Sequence, residues 1–178
     1  TNDLMSLTDL GGPGDTPRTT NFVYDSAGNL IRIEYADGTK EEATYDNHGQ
    51  LLTLTDTNTH TTSYHYDAQG NLIEVIDPLG NPTQYGYDAV GRQTSMTDAN
   101  NHTVRFEYDG NDNLIRLIDP KGQATTFKCD GNDSLFQMTD RRGGVTTYHY
   151  DVNLKLTAET DPLGNTTSYT YDAMYNRV

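Results

Sequence analysis

The sequence predicts an all-β fold built from repeated antiparallel hairpins. Three observations predict it: a 21-residue period, two turn signals in every period, and apolar residues at alternate positions between the turns. Tyr-Asp recurs at Tyr24, Tyr45, Tyr66, Tyr87, Tyr108, Tyr150 and Tyr171, at intervals of 21 residues except for one gap of 42. Cys129-Asp130 stands in the middle of that gap, so Cys129 occupies a degenerate tyrosine position. A fixed period of this length marks stacked supersecondary units rather than one mixed core.

Taken in order, the N-terminal "LMSLTD" (4–9) resembles "LLTLTD" (51–56), and "LGGPGDTPR" (10–18) then breaks the spacing. Residues 1–20 are therefore expected to be a partial repeat with a loop insertion. Residues 21–178 are expected to form a single array of about seven repeats, within a piece of a longer polypeptide. The first turn of each unit follows Tyr-Asp, as in "YDAQGNL". Asp67 can bond its own backbone two residues on, and Gly70 supplies a positive φ. The second turn is Asp-Pro-x-Gly: Asp77, Pro78 and Gly80; Asp119, Pro120 and Gly122; Asp161, Pro162 and Gly164. This order fits positions i to i+3 of a type I turn. In later units Asp112, Asp133, Leu154 and Tyr175 replace the glycine of the first turn. Aspartate tolerates left-handed backbone and leucine does so poorly, so the turn at Leu154 is expected to differ in type.

Runs of five or six residues between the turns alternate in polarity, which means strands with one apolar face. That face is expected to carry Tyr45, Tyr64, Tyr66, Ile73, Val75, Tyr85, Tyr87, Phe106, Tyr108, Tyr148, Tyr150, Tyr169 and Tyr171. The opposite face would carry Thr, Ser, Glu, Arg and His. In the expected register Tyr66 meets Ile73 and Tyr64 meets Val75. Across the other turn Leu54 meets Tyr64 and Leu52 meets Tyr66. A one-residue slip would scatter these pairs over both faces. The leucine after the first turn, such as Leu72, has the opposite parity and would plug the turn end. Seven units give about 14 or 15 strands, more than the roughly ten that an open twisted sheet carries without curling. With no helical stretch to cover it, the apolar face must line a cavity, meet a partner or curl on itself.

Composition narrows the function. The hydrophobic fraction is 33%, and 13 Tyr stand against 4 Phe and no Trp, so apolar contacts come largely from rings with polar tips. A net charge of −14 argues against nucleic acid and anionic membrane surfaces as partners. No run of 18 apolar residues exists, so no membrane insertion by this segment is expected. The single cysteine excludes an internal disulfide framework.

The stretch "YDAQGNLIEVIDPLGNPTQYGYD" (66–88) resembles the Rhs or YD repeat, and the resemblance runs from about Asn21 to Val178. Such repeats occur in bacterial Rhs polymorphic toxins, in the B and C components of Tc toxin complexes and in teneurins. The resemblance implies a curved, spiral β-sheet that is part of a hollow shell. Such a shell encloses and shields a C-terminal toxin domain. It further implies a non-catalytic, structural segment of a secreted or cell-surface bacterial protein, whose partners are the rest of the shell and the enclosed toxin. The family's self-cleaving segment has no counterpart, because the Asp-Pro-x-Gly sites here are followed by Asn or Gln. The alternative is an extracellular adhesive or carbohydrate-binding module in which the tyrosine stripes stack on glycans.

No catalytic, cofactor or metal site is expected. Calcium needs six to eight converging oxygens, and aspartate in turns is what turn chemistry requires anyway. His48, His60, His65, His102 and His149 lack ligand spacing. Cys129 reads as a small filler at a wall position rather than a nucleophile.

Overall fold

The computed structural model describes residues 5–12, 16–174 and 176–178. These form sixteen strands, and within each of two units the order in the sheet is the order in the chain. Two compact units are distinguished, Thr1–Gly86 with Asp98–Asn100, and Tyr87–Thr97 with Asn101–Val178. The first holds β1 (Ser6–Asp9), β2 (Arg18–Tyr24), β3 (Leu30–Glu34), β4 (Lys40–Tyr45), β5 (Leu51–Thr55), β6 (Thr61–Tyr66), β7 (Leu72–Ile76) and, save its last residue, β8 (Pro82–Tyr87). The second holds β9 (Gln93–Thr97), β10 (Thr103–Tyr108), β11 (Leu114–Ile118), β12 (Ala124–Cys129), β13 (Leu135–Thr139), β14 (Val145–Tyr150), β15 (Leu156–Thr160) and β16 (Thr166–Ser168). Within each unit every strand runs antiparallel to its chain neighbours. The irregular segment after β1 separates it from β2, with Asp9 paired to Arg18; residues 13–15 within it lie outside the described residues.

Both kinds of turn share one backbone design. Asp67 N–H donates to Asn71 C=O at 3.0 Å and Gly70 N–H to Asp67 C=O at 3.1 Å. The Asp-Pro turn repeats this with Asp77 and Asn81 at 3.0 Å and Gly80 and Asp77 at 2.9 Å. Each is a type I turn followed by one left-handed residue, which matches the right-handed twist of the flanking strands. The aspartate side chain closes the design. Asp67 Oδ1 accepts the N–H of Gln69 and of Asn71, and Oδ2 accepts the Asn71 amide, all at 2.9 Å. This explains the recurrent Asp-x-x-Gly-Asn: the last residue returns its amide to the first.

The turn at Leu154 is not of a different type. Leu154 adopts φ 61°, its N–H bonds Asp151 C=O at 3.0 Å, and Asp151 N–H bonds Lys155 C=O at 2.9 Å. Asp151 Oδ1 holds the N–H of Asn153 and Lys155 as elsewhere, so the carboxylate imposes the turn on a residue that resists it. Asp112 and Asp133 take φ 69° and 61°, as do Thr59 (67°) and Asn101 (62°) in the second turns. Tyr175 lies outside the described residues.

The register differs from expectation at both turns. Tyr64 meets Val75, but Tyr66 meets Leu72, because a bulge between His65 and Tyr66 leaves Ile73 as the extra residue. The same irregularity precedes Tyr24, Tyr45, Tyr108, Cys129 and Tyr150. A bulge reverses the alternation, so Leu72 becomes the cross-strand partner of the tyrosine rather than a plug at the turn. Across the other turn Leu54 meets Thr62, not Tyr64, and Thr53 meets Ser63. The five-residue bend sets this pairing two positions from the expected one. A two-residue shift preserves the faces but moves threonine onto the apolar side. Thr62, Thr83, Thr125 and Thr146 oppose Leu54, Val75, Leu117 and Met138.

Among the described residues no hydrophobic side chain is fully buried, and the most enclosed residue is Thr146 at 6% exposure. The chain exposes 12172 Å², against roughly 8,600 Å² for a compact monomer of this length. Within each unit the described strands make a single sheet layer, which has two surfaces and, among the described residues of that unit, no second layer to bury either of them.

Leu154→Gly is expected to raise stability by about 1 kcal/mol, read as a higher urea midpoint, because glycine relieves the left-handed strain. Acid is expected to weaken the turns. The carboxyls of Asp67, Asp77 and Asp161 lie below the usual range, chiefly through the amides of Asn71, Asn81 and Asn165 and then through backbone N–H groups. A lowered folded value means that the unfolded chain binds more protons. The contribution is therefore whole above the ordinary carboxylate value of about 3.9 and is lost as pH falls below it. Thermal melts across this range should show a falling midpoint, less steep in Asp67→Asn with Asp161→Asn.

Candidate interaction face

In an antiparallel pair, directly opposed residues share a face. The pairs Phe22–Ile33, Ala43–Leu54 and Tyr64–Val75 lie on one face of the first unit, and Phe106–Leu117 and Phe127–Met138 on one face of the second. The apolar members stay partly open: Leu52, Leu54, Ile73, Met96 and Phe136 are 36–40% exposed. Tyr45, Tyr64, Tyr66, Val75, Tyr85, Tyr87, Phe106, Tyr108, Tyr148, Tyr150, Tyr169 and Tyr171 are half-buried. The other face carries pairs such as His65–Glu74, Glu107–Arg116, Lys128–Gln137 and His149–Ala158. Two acidic residues break the apolar row, Glu41 opposite Ile33 and Glu159 opposite Tyr148. Each accepts a phenol, from Tyr35 at 3.1 Å and Tyr169 at 3.4 Å.

Sequence reasoning did not anticipate what the tyrosine hydroxyls do. Tyr45, Tyr108, Tyr150 and Tyr171 donate to the carbonyls of Leu30, Gln93, Leu135 and Leu156, each fifteen residues back, at 3.1, 2.9, 2.9 and 2.8 Å. Each acceptor begins the incoming strand of the preceding hairpin, beside the bulge. The rung thus ties one hairpin to the one before. A signal for it existed: two residues earlier the sequence admits Phe22, Phe106, Phe127 and Ala43, whereas phenylalanine never fills the Tyr-Asp position. Burial pushes the phenols of Tyr66, Tyr148 and Tyr150 up, so they remain protonated donors at neutral pH.

Cys129 has no hydroxyl with which to form a rung. It opposes Leu135, and burial, aided by the charges of Asp109, Asp133 and Asp130, pushes its thiol up, away from thiolate chemistry. Histidines serve turns or stand in solvent. His60 takes the place of the closing asparagine, with Nδ1 3.2 Å from Asp56 Oδ2. His65 and His149 are exposed. The predicted turn residues occupy the bends at 67–71, 77–81, 119–123 and 161–165, with Gly70, Gly80, Gly122 and Gly164 at φ 79–89°. Pro78, Pro120 and Pro162 follow the aspartate, where no N–H is required. Among the described residues no cluster of three or more His, Cys, Asp or Glu is arranged to hold a metal ion.

The RHS repeat family model matches residues 45–82, 66–103, 87–125 and 150–178, which is more than half of the chain. The chain belongs to the RHS repeat family. The unmatched interval between the last two matches, 126–149, holds Cys129 and Asp133, where the motif has decayed. A crystal structure of TcdB2-TccC3 without its hypervariable C-terminal region is similar with a TM-score of 0.74 at 20% identity over 93% of this chain. The Photorhabdus luminescens Tc holotoxin pore, with a mutated TccC3, gives 0.73 at 20% identity over 91%, and TcdB2-TccC3 gives 0.71 at 20% over 89%. This chain spans about a tenth of each of those chains, 10% in all three. At such identity the likeness shows a shared fold, a meander of repeated hairpins. No curated protein matches the chain.

The rungs separate two otherwise similar substitutions. Tyr150→Phe is expected to cost about 1 kcal/mol through loss of the bond to Leu135. Tyr66→Phe is expected to cost nearly nothing, because among the described residues its hydroxyl meets no partner. Urea denaturation of both variants reads the difference; equal losses would contradict the assignment of the rungs.

Proposed function

We propose that this chain is a non-catalytic length of wall in an Rhs/YD-type shell that encloses and shields a C-terminal toxin domain. The observation that carries the reading is the apolar face. Its rows of Phe, Tyr, Leu and Val are organised by five-residue bends, and among the described residues no hydrophobic side chain on it is fully buried. An apolar face of this extent is stable in water only against another surface. Residues 1–20 act as a partial repeat and 21–178 as a run of about seven repeats, with further hairpins of the same polypeptide continuing the sheet. Unpaired outer strands favour such continuation. The remaining partner is the enclosed toxin domain. The parent protein is an exported bacterial protein, in keeping with the fold shared with the Tc holotoxin pore.

Limited proteolysis of the longer polypeptide tests this. The domain after the repeats should resist digestion while the shell is intact. Val75→Asp with Leu117→Asp should speed its digestion about tenfold or more, because each places an unpaired charge on the covered face. His65→Asp, on the opposite face, should leave digestion unchanged. A downstream domain that is digested at once in the unaltered protein would sink the reading.

A further inference from the structure

Arg92 occupies a notch between two successive bends. Its Nε donates to Asp88 Oδ2 at 2.8 Å, and its Nη1 donates to the Asp109 carbonyl at 2.9 Å and to Asp112 Oδ1 at 2.7 Å. The guanidinium carbon stands 5.0 Å from the centre of the Tyr108 ring. The side chain is 27% exposed, so the notch is largely filled from within. Ring face, carboxylate and carbonyl together form a guanidinium receptor.

A related notch recurs 42 residues earlier in the sequence, with Gly70 in the place of Asp112. Asp46 stands for Asp88, Tyr66 for Tyr108, Asp67 for Asp109, and Gln50 for Arg92. Here the shorter side chain leaves an open pocket of about 580 Å³ lined by Asp46, Gln50, Leu52, Tyr64, Tyr66 and Asp67, among others. Gln50 Nε2 reaches the Gly70 carbonyl at 3.1 Å, so its amide oxygen remains as an acceptor. Asp46 Oδ1 is committed to the N–H of His48 and Gln50, but Oδ2 faces only the His48 ring at 3.5 Å. The Tyr66 hydroxyl makes no rung, unlike that of Tyr108. The empty notch therefore offers a ring face and at least three acceptors, in a chain of net charge −14.

We infer that the notch at Asp46, Gln50 and Tyr66 receives the guanidinium group of an arginine carried by a partner polypeptide. The bound group lies against the Tyr66 ring as Arg92 lies against Tyr108, and donates to Asp46 Oδ2, the Gln50 amide oxygen and the Tyr66 hydroxyl. A lysine fits less well, since it lacks the planar fork that reaches several acceptors at once. The inference does not depend on what the wider sheet encloses.

The test is a titration of the isotope-labelled 178-residue chain with acetyl-Gly-Arg-Gly-amide, followed by amide chemical shifts. Shifts should concentrate at residues 46–50 and 67–70, and the citrulline peptide of the same shape should produce none. Asp46→Asn, which keeps the turn acceptor, should weaken binding about fivefold or more. Gln50→Arg should fill the notch as Arg92 does and abolish binding, with a dispersed spectrum showing that the variant is folded. Shifts spread evenly over the bends at Asp25, Asp77 and Asp161 would overturn the inference, as would undiminished binding to Gln50→Arg or equal shifts with citrulline.

Discussion

At bend after bend, one aspartate oxygen receives two backbone N–H groups, from two and four residues further on. Asp25, Asp56, Asp88, Asp130 and Asp172 do so as Asp67 does. A sheet one layer thick cannot rely on a core to hold its chain reversals, so each reversal must be closed locally. The carboxylate does this so firmly that leucine and threonine are carried into left-handed backbone. One bend shows the design by exception. At 35–39 a tyrosine holds the first place, and Asp37 instead binds the N–H and hydroxyl of Thr39. The backbone bonds of the turn survive the exchange.

Fixed bends determine what the strands present. With every reversal after β2 of the same length, the hairpins keep one register, and the Tyr-Asp tyrosine arrives beside the bulged start of the preceding incoming strand. At Tyr45, Tyr108, Tyr150 and Tyr171 the hydroxyl meets the carbonyl beside that bulge. The apolar face therefore combines two features: its aliphatic members stay partly exposed, while Tyr45, Tyr108, Tyr150 and Tyr171 hold neighbouring hairpins together. Arg92 adds a charged clamp at the level of the turns, and where Gln50 stands in its place the sheet has a notch.

The strands, their antiparallel order and the position of nearly every bend were legible in the sequence, because an uninterrupted 21-residue period leaves little freedom. The bulge was not. Leu72 and Ile73 are both apolar, so polarity alone cannot say which of them faces Tyr66. The side of Thr62 and Thr146 was obscured for a related reason: threonine is common on either face of a sheet, and only the bend length decides its partner. Turn strain at Leu154 was misjudged because backbone preference was weighed without the two N–H groups that Asp151 gathers. The notch at Gln50 depends on where the Arg92 side chain sits in its counterpart, which no residue pattern specifies.

The tyrosine rungs run in one direction and reach one neighbour. Coupling of this kind makes the array a one-dimensional lattice, in which each hairpin's melting depends on the interface it shares with the next. At Cys129 that interface has no hydroxyl to meet the carbonyl of Leu114, and the Tyr66 hydroxyl makes no rung, so the lattice is weaker at both places. Cooperativity does not cross such a link undiminished. A repeat that looks uniform in sequence is thus tied unevenly along its length, less tightly at Tyr66 and Cys129 than at Tyr45, Tyr108, Tyr150 and Tyr171.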